Sequence, residues 1–469
     1  MRKTKIIATI GPASQSVDVL TQLLDAGMNV ARMNMSHGNY EFHQATIANL
    51  RKASSVTGKP VAILMDLQGP KIRVDKLDNP IVLQYNETYH IGLSANTVGD
   101  NYIPTTYKHL VKDCEIGDRV LFDDGLLEAE VIEKYPDTIE VKILTGGILK
   151  SNKGINLPDS QVSAPSLTKK DKADLEWGLT QDIDFIALSF VRHASDIHKV
   201  RELIKESKIN PKLPIIAKIE KPEALTHIEE IVDAADGIMI ARGDMAVEVG
   251  THLVPKIQKK LIILCNRKCK PVITATQMME SMTQNTSPTR AEASDVANSV
   301  WDGSDALMLS AETASGNHPA LVVKTMNKII TEAETMDKKR KNMPDPGHSF
   351  TSNLQLSATV LAENTNAKLI ISITENGTSV LRLAAFRPKV PILGLTNSEQ
   401  VQRKMCLYWG VTPELILQNN LKTDDVEKTI IKRLKDDHEL VQEDIVVVCR
   451  ANSQKPYDSS NNSVKILKV

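Results

Sequence analysis

The sequence FIALSF at 185–190 is followed by PIIAKIE at 214–220 and GIMIARGD at 237–244. Each run is short, apolar and rich in β-branched residues, and each ends in polar residues, which is typical of a buried strand. Successive runs end 30 and 24 residues apart, and the segments between them have helical periodicity. This stretch therefore predicts parallel strands that alternate with helices.

The same alternation extends over much of the chain. Five further runs have this pattern: KIIATIG (5–11), NVARMNMS (29–36), VAILMD (61–66), PVITATQ (271–277) and ALMLSAE (306–312). The helical segment VDVLTQLLDAG (17–27) ends in glycine, a frequent C-terminal helix cap. Eight strands that alternate with helices predict an α/β fold of the closed (β/α)8 TIM barrel type.

One long interval interrupts this barrel. Successive runs end 24 to 35 residues apart, except between 66 and 190, where the interval is 124 residues. This interval predicts an inserted domain at about 75–164, which leaves barrel segments 1–74 and 165–343 with close to the ~250 residues that are typical of such barrels. The insert shows alternating strand patterns and hairpin signals at Asp124-Gly125 and Gly146-Gly147. We interpret it as a small β domain that acts as a lid over one end of the barrel.

The C-terminal part of the chain returns to α/β alternation. Residues 343–347, MPDPG, form a linker that breaks helices. Four apolar runs follow it: KLIISIT (368–374), VPILGLT (390–396), DIVVVCR (444–450) and VKILKV (464–469). They predict an open parallel sheet with covering helices, and we interpret 348–469 as a C-terminal α/β regulatory domain.

Composition argues against several classes of function. The chain has 57 Lys and Arg against 58 Asp and Glu and only 4% aromatic residues, so nucleic acid and anionic membranes are unfavourable partners. No run of 18 apolar residues is present, which argues against a membrane span. The five cysteines form no CxxC pair, so we expect neither structural zinc nor disulfides, and a cytoplasmic location.

The polar residues that end the predicted strands are the candidate functional residues, because a barrel carries its chemistry at the C-terminal ends of its strands. They are Arg32, Asn34, Ser36, Asp66, Ser189, Lys218, Glu220, Arg242, Asp244, Thr276, Ser310 and Glu312. Each one taken alone is equally well explained as a strand end that meets solvent. Together, charged groups in one mouth favour a bound metal or ligand that compensates them.

Glu220 and Asp244 end adjacent strands, with Lys218 beside them. Two carboxylates suit Mg²⁺ when substrate oxygens and water complete its octahedron, although Lys218 and Glu220 also suit a structural ion pair. Lys218 and Arg32 supply fixed positive charge for a phosphoryl group. Neither GxxxxGK[ST] nor GxGxxG occurs, so phosphate chemistry is expected at the barrel rim.

Several long motifs at these positions resemble the pyruvate kinase family. They are KTKIIATIGPAS (3–14), ARMNMSHG (31–38), KGINLP (153–158), IIAKIEKPEAL (215–225), MIARGDMAVEV (239–249), ITATQMMESM (273–282) and PTRAEASDVANSVWDGSDALMLSAETASG (288–316). The resemblance covers the whole chain. It implies a glycolytic enzyme that transfers the phosphoryl group of phosphoenolpyruvate to ADP, giving pyruvate and ATP, and a homotetramer.

The resemblance also implies a role for each matched residue. Arg32 would hold the phosphoryl group, and Lys218 would stabilise that group during transfer and the enolate left behind. The metal ligands would be Glu220 and Asp244, for Mg²⁺ or Mn²⁺. The substrate carboxylate would meet the amides of Gly243 and Asp244 together with Thr276. The solvent network that protonates the enolate would include Thr276, Ser310 and Glu312, and the nucleotide would contact Arg73 and Lys170, near His37 and Asn34.

Lys71, in MDLQGPKIRV (65–74), departs from the family pattern, since many relatives carry glutamate there. In the family that glutamate accompanies a need for K⁺ at positions that match Asn34, Ser36, Asp66 and the carbonyl of Leu67. The lysine ammonium would supply this positive charge internally, so we predict activity that is largely independent of K⁺. The alternative is that Lys71 is a solvated surface residue.

The segment TENGTSVLRLAAFRP (374–388) resembles the effector-phosphate loop of the family, T-x-S-G-x-x-A. Asn376 replaces the loop serine, which argues against the usual sugar-phosphate activator. A phosphorylated effector would be held by Thr374, Thr378, Ser379 and the backbone around Gly377. An ordinary strand–loop–helix turn would have the same local pattern.

Two other functions remain open on sequence alone. A metal-dependent aldolase that uses a pyruvate enolate would need the same rim, but not the insert or the nucleotide residues Arg73 and Lys170. A non-catalytic relative would be expected to have lost some of the catalytic residues. Lys218, Glu220, Asp244 and Thr276 are all present.

Overall fold

The computed structural model describes residues 2–94, 101–160, 162–336, 343–416, 424–436, 439–450 and 462–469. The strands are β1 (Lys5–Ile10), β2 (Val30–Asn34), β3 (Ala62–Asp66), β4 (Ile81–Leu83), β5 (Thr88–Leu93), β6 (Tyr102–Thr105), β7 (Arg119–Phe122), β8 (Leu127–Lys134), β9 (Thr138–Thr145), β10 (Gly147–Leu149), β11 (Ile155–Asn156), β12 (Phe185–Leu188), β13 (Ile215–Ile219), β14 (Gly237–Ala241), β15 (Val272–Ala275), β16 (Ala306–Leu309), β17 (Leu369–Ile373), β18 (Ile392–Thr396), β19 (Val411–Leu415), β20 (Ile445–Arg450) and β21 (Ser463–Lys468). The helices are α1 (Val17–Ala26), α2 (Tyr40–Thr57), α3 (Leu110–Asp113), α4 (Lys169–Leu179), α5 (Ala194–Ser207), α6 (Pro222–Thr226), α7 (Ile228–Ala234), α8 (Arg242–Val249), α9 (Val254–Arg267), α10 (Arg290–Asp302), α11 (Ala311–Ala314), α12 (Pro319–Ala333), α13 (Phe350–Asn364), α14 (Thr378–Ala385), α15 (Glu399–Met405) and α16 (Asp424–Asp436).

Eight parallel strands form a closed barrel in the order β1-β16-β15-β14-β13-β12-β3-β2. All eight predicted runs are therefore confirmed as barrel strands. Alternate residues of one strand belong to different cores: Ile6 packs between strands and helices, whereas Ile7 belongs to the cluster that fills the barrel. Because both faces of each strand are buried, the runs are almost continuously apolar.

Helix α1 shows how the segments between strands begin and end. The Ser16 side chain accepts a hydrogen bond from the Val19 backbone N–H, and Gly27 ends the helix at φ 116°. A side chain in that left-handed region would be strained, which explains why glycine follows the last helical turn. The predicted glycine cap is confirmed.

The insert contains a six-stranded sheet, in the order β11-β7-β8-β9-β5-β6, and a two-stranded sheet of β10 and β4. The hairpin predicted at Asp124-Gly125 joins β7 to β8. The hairpin predicted at Gly146-Gly147 is wrong, because β10 pairs with β4 and not with β9. At this point the chain leaves one sheet for the other, and a Cβ on Gly146 would lie 2.5 Å from the Leu83 carbonyl oxygen. Glycine is needed there for a close backbone approach and not for a tight turn.

The C-terminal sheet has the order β19-β18-β17-β20-β21. Its first four strands are parallel, as predicted, but the edge strand β21 runs antiparallel to β20, so the prediction is wrong for the direction of this one strand. An apolar run carries no information on the direction of its strand. The edge strand β19, VTPEL, was not predicted, because Pro413 and Glu414 weaken its strand pattern.

The C-terminal domain packs against the N-terminal ends of the barrel strands. The cluster that fills the barrel also contains Ile370 and Leu383 of this domain. Lys5 Nζ, at the start of β1, donates a hydrogen bond of 2.6 Å to the Val411 carbonyl oxygen. The C-terminal domain therefore lies at the end of the barrel opposite the candidate site. Within the part of the chain described, no helix combines the length and apolarity that crossing a bilayer requires.

Candidate active site

A chain of alternating charges lies across the C-terminal ends of β2, β3 and β13. Arg32 Nε donates a hydrogen bond of 2.7 Å to Asp66 Oδ2, and Asp66 Oδ1 lies 3.2 Å from Lys218 Nζ. Lys218 Nζ lies 3.1 Å from Glu220 Oε1. Both carboxylate side chains are 1% exposed. Four of the residues predicted at strand ends, two cations and two carboxylates, therefore contact one another in a row at the rim.

Burial and these contacts shift the pKa values of three of the four residues, Asp66, Lys218 and Glu220. Burial raises the pKa of Asp66, but Lys218 and Arg32 outweigh it, so this pKa is below its ordinary value. Burial lowers the pKa of Lys218, but Asp66 and Glu220 outweigh it, so this pKa is above its ordinary value. Burial raises the pKa of Glu220, and the nearby charge of Asp244 adds to this effect. Lys218 is therefore a permanent cation at neutral pH.

The segment after β12 holds Lys218 and Glu220 in place. Ser189 Oγ accepts a hydrogen bond of 2.7 Å from Lys218 Nζ, and the Phe190 backbone N–H donates to Glu220 Oε2 at 2.7 Å. Phe190 has a positive φ of 54°, which is unusual for a bulky residue. Phe190 was not identified from the sequence, because its contribution comes from the backbone. The positive φ is the kind of strain that functional sites retain.

Thr276 and Gly243 meet between the ends of β14 and β15. Thr276 has a φ of 68°, and its Oγ1 accepts a hydrogen bond of 2.7 Å from the Gly243 backbone N–H. Its carbonyl oxygen accepts a hydrogen bond of 2.8 Å from the guanidinium of Arg242, which also pairs with Asp295. This β-branched residue is thus held in a conformation that costs of order 1–3 kcal/mol.

Lys71 lies at the same rim and not in bulk solvent. Its Nζ is 3.6 Å from Asp244 Oδ1 and 3.9 Å from Asp124 Oδ1 of the insert, and its side chain is 27% exposed. The interpretation of Lys71 as a solvated surface residue therefore loses support. Among the residues described, the ion pairs of Asp66 are with Arg32 and Lys218 and do not include Lys71.

Ser310 and Glu312 follow β16. Glu312 is fully buried, and its carboxylate accepts hydrogen bonds from the backbone N–H groups of Ser310 at 2.6 Å and Met279 at 3.2 Å. Ser310 Oγ is buried and has no hydrogen-bond partner within the described ranges. A buried hydroxyl without a partner is suited to an ordered water or a substrate atom.

The residues predicted to bind nucleotide are only partly brought together. Lys170 Nζ donates a hydrogen bond of 2.7 Å to the carbonyl oxygen of Met35, in the loop at 35–39 that contains His37 and directly follows Asn34, the last residue of β2. Arg73 lies where the chain enters the insert, and its guanidinium donates a hydrogen bond of 2.9 Å to the Asn152 carbonyl oxygen. Among the described residues, the contacts of Arg73 do not connect it with Lys170.

The positions of the predicted monovalent-cation pocket make contacts within the protein. Asn34 Oδ1 accepts a hydrogen bond of 3.1 Å from the Ser36 backbone N–H. The Leu67 carbonyl oxygen accepts a hydrogen bond of 2.7 Å from Ser189 Oγ. Asp66 is also paired to two cations, so each of these three oxygen ligands already has a partner within the protein.

The rim has the donors that a Mg²⁺ ion needs. Glu220 Oε1 is buried and accepts no hydrogen bond within the described residues, although it faces Lys218 Nζ. Asp244 is close enough to raise the pKa of Glu220. No group of three or more His, Cys, Asp or Glu suited to a metal occurs among the described residues. Two carboxylates completed by substrate oxygens and water are nevertheless the usual coordination for Mg²⁺, so the donor set fits.

The predicted effector loop connects β17 to α14. Its amides are bonded within the loop: Gly377 N–H donates to Thr374 Oγ1 at 2.9 Å, and Thr378 N–H donates to Asn376 Oδ1 at 3.1 Å. Ser379 Oγ is buried and has no hydrogen-bond partner in the part of the chain described. Asn376 therefore takes up one of the donors that a phosphate would use.

Comparisons with known proteins identify the family and the fold of the chain. The family description "Pyruvate kinase, barrel domain" matches residues 1–323, and "Pyruvate kinase, alpha/beta domain" matches residues 353–467. A pyruvate kinase of Geobacillus stearothermophilus is 46% identical over 87% of this chain and 71% of its own length. One of Staphylococcus haemolyticus is 41% identical over 96% of this chain and 77% of its own length. The crystal structure of a pyruvate kinase from Cryptosporidium parvum has a TM-score of 0.93 and 35% identity, covering 100% of this chain and 96% of that one.

Proposed function

The chain belongs to the pyruvate kinase family and is a phosphotransferase, and from that premise we propose how its rim transfers the phosphoryl group of phosphoenolpyruvate to ADP. The observation that carries the proposal is the contact chain Arg32–Asp66–Lys218–Glu220. It holds two permanent cations beside two carboxylates. Phosphoryl transfer needs alignment and charge neutralisation more than covalent help from the protein. These four residues would supply the alignment and the charge neutralisation.

Lys218 and Arg32 would act on the phosphoryl group. Asp66 holds both cations from one carboxylate, so their spacing is fixed before substrate binds. The raised pKa of Lys218 argues that it stays charged through the reaction and stabilises the phosphoryl and enolate oxygens. It is therefore unsuited to donate the proton that converts the enolate to pyruvate.

Glu220 and Asp244 would hold Mg²⁺ or Mn²⁺. The ion, when bound, supplies positive charge to substrate oxygens. The Phe190 N–H fixes Glu220 from one side, at 2.7 Å. Gly243, Asp244 and Thr276 would bind the substrate carboxylate, and Thr276 already accepts a hydrogen bond from the Gly243 amide.

Thr276, Ser310 and Glu312 would orient the solvent that protonates the enolate carbon. The support is the buried Ser310 hydroxyl without a protein partner, beside a fully buried carboxylate. Water held there would be ordered by fixed partners and would not need to reorganise during the reaction. Lys170, His37 and Asn34 would contact the nucleotide from one side, and Arg73 from the junction with the insert.

The activity would be largely independent of K⁺, because Lys71 places an ammonium group on the rim. Lys71 Nζ is 3.6 Å from Asp244 Oδ1. The three cations Arg32, Lys71 and Lys218 then equal the three carboxylates Asp66, Glu220 and Asp244 in charge. A strong rise in activity when tetramethylammonium salts are replaced by KCl would contradict this proposal.

Other parts of the chain have proposed roles that fit this reaction. The insert, at about 75–164, would close over the rim as a lid and exclude water. The C-terminal domain at 348–469 would be regulatory, and a phosphorylated effector would meet Thr374, Thr378 and Ser379. We place the enzyme in the cytoplasm as a homotetramer, on the resemblance to its family.

A coupled assay of pyruvate formation tests the proposed roles. With Mg²⁺, phosphoenolpyruvate and ADP, we expect activity in the wild type and a loss of at least a hundredfold in Lys218→Met, since one preorganised charge contributes about this much. Lys221→Met, which removes the neighbouring lysine bonded to Glu248, is the matched control for the loss of a buried cation. Equal rates for Lys218→Met and wild type would overturn the role of Lys218. Pyruvate formation without ADP would instead favour another chemistry.

A further inference from the structure

A stacked pair of aromatic rings lies beside the proposed nucleotide residues. Tyr40 is the first residue of α2, and its ring stacks on Trp177 of α4 with centroids 4.8 Å apart and planes inclined by 8°. Tyr40 is 37% exposed. The stack joins the helix that follows the loop at 35–39 to the helix that carries Lys170.

Asp174 connects this stack to Lys170. The Tyr40 hydroxyl donates a hydrogen bond of 2.9 Å to Asp174 Oδ1, and Lys170 Nζ lies 2.6 Å from Asp174 Oδ2. The Asp174 side chain is 2% exposed, whereas the Lys170 side chain is 51% exposed. Burial and the bond to Asp174 raise the pKa of Tyr40 to about 12, so its hydroxyl remains a donor at neutral pH. Each oxygen of Asp174 therefore has its own fixed partner.

The same ammonium group reaches the loop after β2. Lys170 Nζ donates a hydrogen bond of 2.7 Å to the Met35 carbonyl oxygen. Further along the loop, the His37 carbonyl oxygen lies 2.9 Å from His43 Nε2, and the ring of His43 packs 6.2 Å from Trp177. The carbonyl groups of Met35 and His37 therefore both bond to side chains that lie close to Trp177.

We propose that Tyr40, Asp174 and Trp177 are positioning residues that hold Lys170 and the loop at 35–39 in the geometry that ADP requires. The proposal rests on the proposed function, because Lys170 matters only if nucleotide binds there. A half-exposed lysine loses rotamer entropy when it binds a phosphate, and a lysine that is already ordered loses less. The three residues act through Lys170 and contact no reacting atom.

Four proteins test the proposal: wild type, Tyr40→Phe, Lys170→Gln and the double variant. Tyr40→Phe keeps the ring stack and removes only the hydroxyl. We expect it to raise the KM for ADP about fivefold, less than the full size of one lost hydrogen bond to a charged group because the bond acts on ADP only through Lys170, with kcat and the KM for phosphoenolpyruvate unchanged. Because Tyr40 acts through Lys170, Tyr40→Phe should have little further effect in the Lys170→Gln background.

Tyr135→Phe is the matched control, since the Tyr135 hydroxyl also bonds to carboxylates, Glu133 and Glu140, each at 3.0 Å, but within the insert. An unchanged KM for ADP in Tyr40→Phe, the same increase in both backgrounds, or an equal change for phosphoenolpyruvate would overturn the proposal. Calorimetric titration of the four proteins with Mg²⁺ and ADP gives the same comparison without turnover. An inactive wild type that binds ADP would refute the proposed function, while the affinity ratio would still decide the role of Tyr40.

Discussion

Replacing Lys5 by methionine should change how the stability of this enzyme depends on pH. Lys5 begins β1 and is 6% exposed, and its ammonium donates a hydrogen bond to the Val411 carbonyl oxygen of the C-terminal domain at 2.6 Å. Burial, with the charge of Arg2, lowers its pKa from 10.5 to about 8, although Cys406 and Glu334 oppose the shift. Burial at this domain contact therefore disfavours the charged form of Lys5.

The size of the effect follows from proton linkage. Between about pH 8 and pH 10.5 the unfolded chain binds a proton at Lys5 that the folded protein has released, so the free energy of unfolding rises with pH in this window. Below pH 8 both states are protonated and the full penalty applies, about 3 kcal/mol at 1.36 kcal/mol per unit of pKa. Between pH 7.5 and pH 10, about 2 kcal/mol of that penalty should disappear. In Lys5→Met this part of the pH dependence is absent.

The measurement is urea unfolding of wild type and Lys5→Met at pH 7.5 and pH 10, followed by tryptophan fluorescence and circular dichroism so that coincident transitions can be verified. We expect the stability of Lys5→Met relative to wild type to fall by about 2 kcal/mol between the two pH values. Burial raises the pKa of the neighbouring Cys406 thiol to about 12, which gives the opposite pH dependence, but both proteins contain this group. Lys59→Met, which removes a half-exposed lysine, controls for the general loss of a charge. A stability difference that is the same at both pH values would refute the reasoning.

Three further predictions concern the rim and the domain contact. Lys71→Glu changes the charge sum of the rim from zero to minus two, so its activity should rise at least tenfold with K⁺ in a coupled assay, and a K⁺-insensitive variant would contradict this. Asp184→Asn removes the buried carboxylate that lies 3.2 Å from Arg51 and 2.8 Å from Arg403 and leaves these two arginines only the half-exposed Asp182, so chemical unfolding should show a loss of about 1–3 kcal/mol, whereas an unchanged midpoint would show the buried carboxylate to be dispensable. Gly69→Ala puts a Cβ 2.6 Å from the ring of Phe190, at a Gly69 φ of 72°. Phe190 must then move, and its N–H would hold Glu220 less well, so kcat should fall. An unchanged kcat with a lower stability would contradict this link between Phe190 and catalysis.

The barrel was predictable because its strands repeat one local pattern eight times, and the rim followed from the rule that such strands end at one face. Arg32, Asp66, Lys218 and Glu220 could therefore be placed near one another from their positions at strand ends. Which of them form ion pairs could not be predicted, because the length of a side chain does not determine which carboxylate its charged group contacts. The shared use of Asp66 by Arg32 and Lys218 depends on side-chain geometry in three dimensions.

The two wrong predictions and the missed residue Phe190 have the same physical origin. Gly146-Gly147 has the composition of a turn, but what it permits is a close approach to the Leu83 carbonyl oxygen when the chain changes sheets. Strand β21 has a clear apolar pattern, but its direction is set by its partner β20 and not by its own residues. Phe190 acts through a backbone N–H, and no side-chain motif encodes that. Long-range contacts decided each of these cases.

The charge balance of the rim explains why phosphoenolpyruvate and a divalent ion should assist each other. Arg32, Lys71 and Lys218 offset Asp66, Glu220 and Asp244, through contacts of 2.7 to 3.6 Å. A divalent cation alone would leave this partly buried group with an excess of two positive charges, and an anionic substrate alone would leave it negative. Binding of either ligand alone costs free energy, because it leaves a net charge in a site of low dielectric constant. The divalent cation and the anionic substrate each reduce this cost for the other. Because these six residues are neutral together before binding, we expect the pair to bind better than either ligand alone, with Lys71, which also lies 3.9 Å from Asp124, supplying the third positive charge.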